Sequence, residues 1–135
     1  MARGPAKQDL VGVGLAAFAI INVLTGLFAA IDPKGFYDAV GPFGPYNDHY
    51  IRDAAAAMVG SLGLAMAIAV FRASWRVGVL GYALLQFAFH AVNHLVDIGD
   101  ADPESVGVVD FVTLTIGALT LGWLFARAVR EERAG

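Results

Sequence analysis

Four apolar blocks govern what this chain can fold into. They occupy residues 10–31, 54–71, 77–98 and 106–128, and each is about 18–24 residues long. A helix of that length crosses the roughly 30 Å hydrocarbon core of a bilayer. The core of a water-soluble domain would need helices with a polar face, and these blocks have none. Three of them are broken by a few polar residues, which suits a bundle whose helices shield one another's polar groups. The expectation is a single all-α membrane domain over 1–135, with transmembrane helices at about 9–31, 48–71, 76–98 and 103–129. With 58% hydrophobic against 16% charged residues, the composition agrees.

Local signals place the boundaries. Asp32-Pro33 ends the first span and predicts a short interfacial helix, with Asp32 as N-cap and Pro33 in the first turn. Phe36 and Tyr37 would anchor that helix at headgroup level, and Gly41-Pro42-Phe43-Gly44-Pro45 reads as a loop. Asn47 or Asp48 caps the second span. In it Ala56, Gly60, Gly63 and Ala67 recur at helical spacing, a pattern that lets neighbouring backbones approach. Gly99 stops the third span, and Asp102-Pro103-Glu104 starts the fourth. The apolar run of the first block exceeds a signal-peptide core, and Leu27-Phe28-Ala29-Ala30 is a poor cleavage pattern, so the block is read as an uncleaved span.

Charge sets the orientation. Four spans put the N-terminus, the turn between the second and third spans, and the C-terminus on one side. That side carries Arg3, Lys7, Arg72, Arg76, Arg127, Arg130 and Arg133, against Lys34 and Arg52 on the other. By the positive-inside rule both termini are expected in the cytoplasm, with the protein in the plasma or inner membrane. A net charge of −3 offers nucleic acid no basic patch. The absence of cysteine excludes disulfides and thiolate metal sites.

The third span carries the chemistry. In Gln86-Phe87-Ala88-Phe89-His90-Ala91-Val92-Asn93-His94-Leu95-Val96-Asp97, the polar residues Gln86, His90, Asn93, His94 and Asp97 share one helix face. Ionisable groups inside an apolar helix are costly and mark a site or a buried pairing. Depth adds a second argument. Asn22 and Thr25, His49, Arg52 and Asp53, His90, His94 and Asp97, and Asp110 and Thr113 all fall in the outer half of their spans. A polar pocket opening outward is therefore expected.

In such a pocket His90 and His94, one turn apart, can aim at one metal. Asp97, Asp53 and Asp110 are the candidate carboxylate ligands, and Zn, Fe, Mn or Cu would suit the donor set. His49 and Arg52 are candidates for holding a cofactor or an anionic group, although Arg52 also stands one turn from Asp48 and can simply pair with it. Haem is disfavoured, because two histidines one turn apart cannot sandwich a porphyrin; ligation would need His49 opposite His90 or His94, or a single axial histidine. Two rival readings stand beside the metal site. In one, the histidines only tie the bundle of an accessory subunit together, alone, as a homo-oligomer or in a larger complex. In the other, Asp53, Asp97 or Asp110 exchanges protons in a small carrier. No nucleophile triad or phosphate loop is present, since Gly12-Val13-Gly14 lies within a span with no strand before it; catalysis is not favoured.

Beyond this reading, the layout resembles the small DoxX-like four-helix membrane proteins of bacteria. The resemblance rests on the aromatic Gly/Pro loop, on Tyr50-Ile51-Arg52-Asp53 opening an Ala/Gly-rich span, on Arg72-Ala73-Ser74-Trp75-Arg76, and on His90-Ala91-Val92-Asn93-His94. It implies the four-span layout and, through better-known relatives, a link to quinone-dependent oxidoreductases.

Overall fold

Asp9 opens the first span by accepting the Gly12 backbone N–H at 2.9 Å, so helix α1 runs over Leu10–Ile31. The computed structural model describes residues 9–134; the segment 1–8, with Arg3 and Lys7, lies outside the described residues. Asp32 serves two helices. Its backbone N–H closes α1 on Phe28, and its carboxylate accepts the Gly35 N–H at 2.9 Å to start the short helix α2, Pro33–Ala39. Asn47 caps α3, Asp48–Phe71, through the N–H groups of His49 and Tyr50. A 3₁₀ turn, Ala73–Trp75, leads into α4, Arg76–Val96. The last helix, α5, spans Glu104–Ala134.

Two boundaries differ from the sequence reading. Helix α4 stops at Val96, because the N–H of Asp97 makes the last bond, to Asn93, and the Asp100 N–H then folds back onto Asp97. The connection 97–103 lies so close on α5 that a Cβ at Gly107 would stand 2.3 Å from the Ile98 carbonyl oxygen. At the other end α5 runs on beyond the expected 129. The Arg127 guanidinium reaches Glu131 at 2.9 Å one turn further on, and the charged tail continues as helix.

Helix α3 departs from regular α geometry over Ala57–Leu64, where the turns widen to the π form. The small-residue ladder expected there does not stay on one face. Gly63 is buried, while Ala56 and Gly60 are exposed. Gly63 meets α1 directly, since a Cβ on it would stand 2.5 Å from Val23. Gly26 of α1 returns the contact: a Cβ there would lie 2.9 Å from Met58 and 3.0 Å from the Ala55 carbonyl oxygen. Close approach of α1 and α3 thus depends on glycine from both helices.

The main core lies toward the end of the bundle that holds residues 9, 72–76 and 134, here called the basic end. Val11 and Leu15 of α1, Met66 and Ala69 of α3, Leu80 and Ala83 of α4, and Leu121 of α5 are each fully buried there. Arg76 fastens the same end. It holds Asp9 with two hydrogen bonds, at 2.8 and 2.7 Å, and donates to the carbonyls of Ala69 and Val70 in the last turn of α3. This guanidinium holds the Asp9 carboxyl below the usual carboxylate range, helped by the Gly12 N–H. Above the core, Phe18 and Phe87 meet edge to face at 5.6 Å.

At the opposite, loop end the packing divides. Ala29, Phe36 and Ala55 form a small cluster among α1, α2 and α3, while α4 and α5 pack on each other along their length. Outward-facing residues are mostly apolar, with Ile31, Phe71, Phe89, Val96 and Leu119 largely exposed. Four helices are long and apolar enough to cross a membrane. The protein is an all-α, multi-pass membrane bundle whose outer surface suits lipid.

Candidate functional site

The last two turns of α4 carry His90 and His94 on the side facing α5. Their imidazoles turn toward each other, with Nε2 to Nε2 at 3.0 Å and ring centroids 4.7 Å apart. One ring therefore donates and the other accepts. The i,i+4 spacing makes this contact possible, because side chains four apart lie one above the other on a helix. Behind His94, on its Nδ1 side, Asp110 approaches from α5 with Oδ2 at 3.9 Å. Both side chains are largely shielded, His94 at 13% exposure and Asp110 at 19%. Nδ1 of His94 is buried and makes no hydrogen bond among the described residues. A carboxylate on that side favours the tautomer with the proton on Nδ1, leaving Nε2 free to accept.

A third element covers the pair. Phe43, in the Gly/Pro loop, stands edge-on to the His94 ring with centroids 4.7 Å apart. The loop is held there by a two-residue bridge between Phe43 and Ala101 and by the Asp102 N–H donating to the Pro42 carbonyl at 3.2 Å. Ala101 is itself buried. The two loops of this end thus clasp each other above the histidines. Nothing in the Gly-Pro-Phe-Gly-Pro pattern pointed to Phe43; its role depends on a pairing between loops far apart in sequence.

The remaining candidates lie elsewhere. His49 and Asp53 pair with each other at 3.5 Å on the first turns of α3, both strongly exposed. Arg52 pairs with Asp48 at 2.9 Å and is likewise exposed, the simple ion pair of its two readings. Asp97 is half-buried at the end of α4, where its backbone closes the helix. Gln86, Asn93 and Thr113 are exposed. Asn22 is buried but satisfied within its own helix, donating to the Phe18 carbonyl at 2.8 Å. The expected convergence of four helices thus contracts to His90, His94 and Asp110, with Phe43 above them. Among the described residues, no group of three or more His, Cys, Asp and Glu side chains is close enough to hold a metal ion.

A groove of about 580 Å³ between α4 and α5 is a separate feature. Ala88, Ala91, Leu95, Phe111, Ala118 and Gly122 line it, and their spacing puts it on a different face of α4 from the histidines. It is almost wholly apolar, with the Thr115 hydroxyl as the one polar side-chain group of its lining.

Comparisons with family models, with curated proteins and with solved structures find no match for this chain.

Proposed function

We propose that this multi-pass membrane protein binds a transition-metal ion through Nε2 of His90 and Nε2 of His94, at the non-cytoplasmic side of the membrane. The observation that carries this reading is the convergence of the two Nε2 atoms to 3.0 Å within the membrane-spanning part of α4. Two nitrogens about 2 Å from one ion at a tetrahedral angle stand about 3.3 Å apart, so a small rotation of either ring admits the ion. Asp110 supports the reading as an orienting group, because metal-binding histidines characteristically turn their second nitrogen to a carboxylate. The orientation rests on the excess of Arg and Lys at the basic end, which puts both termini in the cytoplasm. His49, Arg52 and Asp53, exposed and locally paired, have no part in this site.

A second reading has its own support. The Nε2–Nε2 contact is already a complete hydrogen bond, and as such ties successive turns of α4 beneath Phe43. The two readings part on metal content. Tag-free protein is purified in detergent, incubated with a mixture of first-row metals and desalted, and retained metal is measured beside His90→Ala/His94→Ala. Retention near one ion per chain in the wild type alone supports the metal site. Equal retention by the double variant would sink it. Loss of thermal stability in that variant, with no metal on either protein, would establish the structural tie.

A further inference from the structure

The donor set specifies the class of ion. Resting on the metal-binding reading above, we propose that the His90–His94 site takes a monovalent d¹⁰ cation, Cu(I) in a cell, and not a divalent one.

Coordination number gives the first reason. Zn(II) takes four ligands, and Mn(II) or Fe(II) more. The structure offers two nitrogens. Asp110 stands on the Nδ1 side of His94, away from the shared Nε2 atoms, and Asp97 caps the helix beyond. With no cluster of three such ligands among the described residues, a divalent ion would have to keep much of its water shell. The surroundings oppose that: Phe43 packs edge-on against His94, whose side chain is only 13% exposed. A d¹⁰ monovalent ion is content with two imidazoles, or with two and one exchangeable ligand.

Charge gives the second reason. Asp110, 3.9 Å from His94, is the one acid paired with these histidines among the described residues, so the site offers at most one negative charge, which a singly charged cation balances and a divalent one exceeds. A divalent ion leaves one uncompensated positive charge where the low dielectric makes it costly. No other acid is placed to offset it. Asp53 is occupied with His49 in the open, and Asp97 is half-buried a turn beyond His94 with no ion-pair partner among the described residues. The nitrogens must separate to admit the ion. Their spacing grows from 3.0 Å toward roughly 3.5–4 Å as the N–metal–N angle widens, a movement that rotation of the His90 ring, free of Phe43 and Asp110, supplies.

The test titrates tag-free full-length protein in detergent with Ag(I), with Cu(I) under anaerobic ascorbate, and with Zn(II), each alone. Bound metal and affinity are read by equilibrium dialysis. One Ag(I) or Cu(I) per chain is expected, held at least about 100-fold more tightly than Zn(II). Both are lost in His90→Ala/His94→Ala, whose helix content is checked by circular dichroism. Asp110→Asn should weaken the monovalent ion by about 10-fold while leaving the stoichiometry intact. X-ray absorption of the copper-loaded wild type, which needs no variant, should show two or three light donors. Zn(II) bound as tightly as Ag(I) by the same histidines, or a four-coordinate copper spectrum, would overturn the ion class and leave the metal site standing. Failure of every metal to bind, or binding indifferent to loss of both histidines, would overturn both.

Discussion

The two ends of this bundle are held together by different physics. At the basic end all four spans contribute fully buried side chains to one apolar core, and Arg76 fastens α1, α3 and α4 through Asp9 and two backbone carbonyls. At the loop end no such shared core forms. Ala29, Phe36 and Ala55 pack on one side, and His90, His94, Asp110 and Phe43 meet on the other. The bundle is thus a base with one shared core carrying two smaller clusters, and His90, His94 and Asp110 lie in the sparser packing, where fewer buried contacts leave side chains more latitude. Binding sites need that latitude more than cores do, because a side chain that must move to admit a ligand cannot also be locked by close packing.

This contrast can be broken experimentally, beginning with the base. Leu121→Ala empties a fully buried position of α5 and should destabilise the protein by about 2–4 kcal/mol. Affinity at the proposed metal site should hardly change in the folded fraction; equilibrium unfolding in mixed detergent beside a binding isotherm measures both. A large fall in affinity would mean that base and site are one cooperative unit. Gly26→Leu should cost about 1–3 kcal/mol by overpacking, since its Cβ would press on Met58 and on the Ala55 carbonyl.

Asp9→Ala removes a helix cap and the Arg76 partner together and should cost about 1–2 kcal/mol. The same residue sets a pH dependence. Its pKa is lower in the folded protein than in the unfolded chain, so its contribution is complete above the unfolded value. That contribution disappears as the pH falls through the depressed folded value. Thermal melts of wild type should therefore lose stability in acid more steeply than those of Asp9→Ala; parallel curves would refute the pairing in solution.

The loop end should respond less to stability measurements. Phe43→Ala deletes one edge-on aromatic contact, about 0.5–1.5 kcal/mol, and should speed exchange at the proposed metal site more than it lowers the melting point. Arg52→Gln, which removes an exposed pair, should stay within about 0.5 kcal/mol and leave metal binding unchanged.

Much of this arrangement was legible before any coordinates. The four spans follow from block length, and Asp32 and Asn47 act as caps because capping is decided within a few residues. His90, His94 and Asp110 could be brought together on paper, since helical spacing fixes the face and the direction of each span fixes the depth. Depth leaves open which way His49 and Asp53 turn. They share that depth, but each satisfies the other one turn away in the open and has no cause to turn inward. Contacts between distant segments escaped altogether. Asp9 reaches Arg76 across 67 positions, and Phe43 reaches His94 only because its loop pairs with Ala101. Neither partner carries a local signature.

The widened turns of α3 have a consequence for how the loop end is aimed. An α-helix advances about 100° per residue, whereas turns closed by i→i+5 bonds advance by somewhat less. Over the eight residues Ala57–Leu64 the difference accumulates, and the face carrying His49 and Asp53 falls out of phase with the face that enters the base. The stretch acts as a torsional offset between the two ends of one helix. Its setting is counted in residues: eight residues in widened turns sweep about the angle that seven sweep in an α-helix, so removing one from 57–64 would let the turns tighten with Asp48 and Arg52 near their present face, whereas tightening all eight would swing them around the axis while Met66 and Ala69 kept their places in the core.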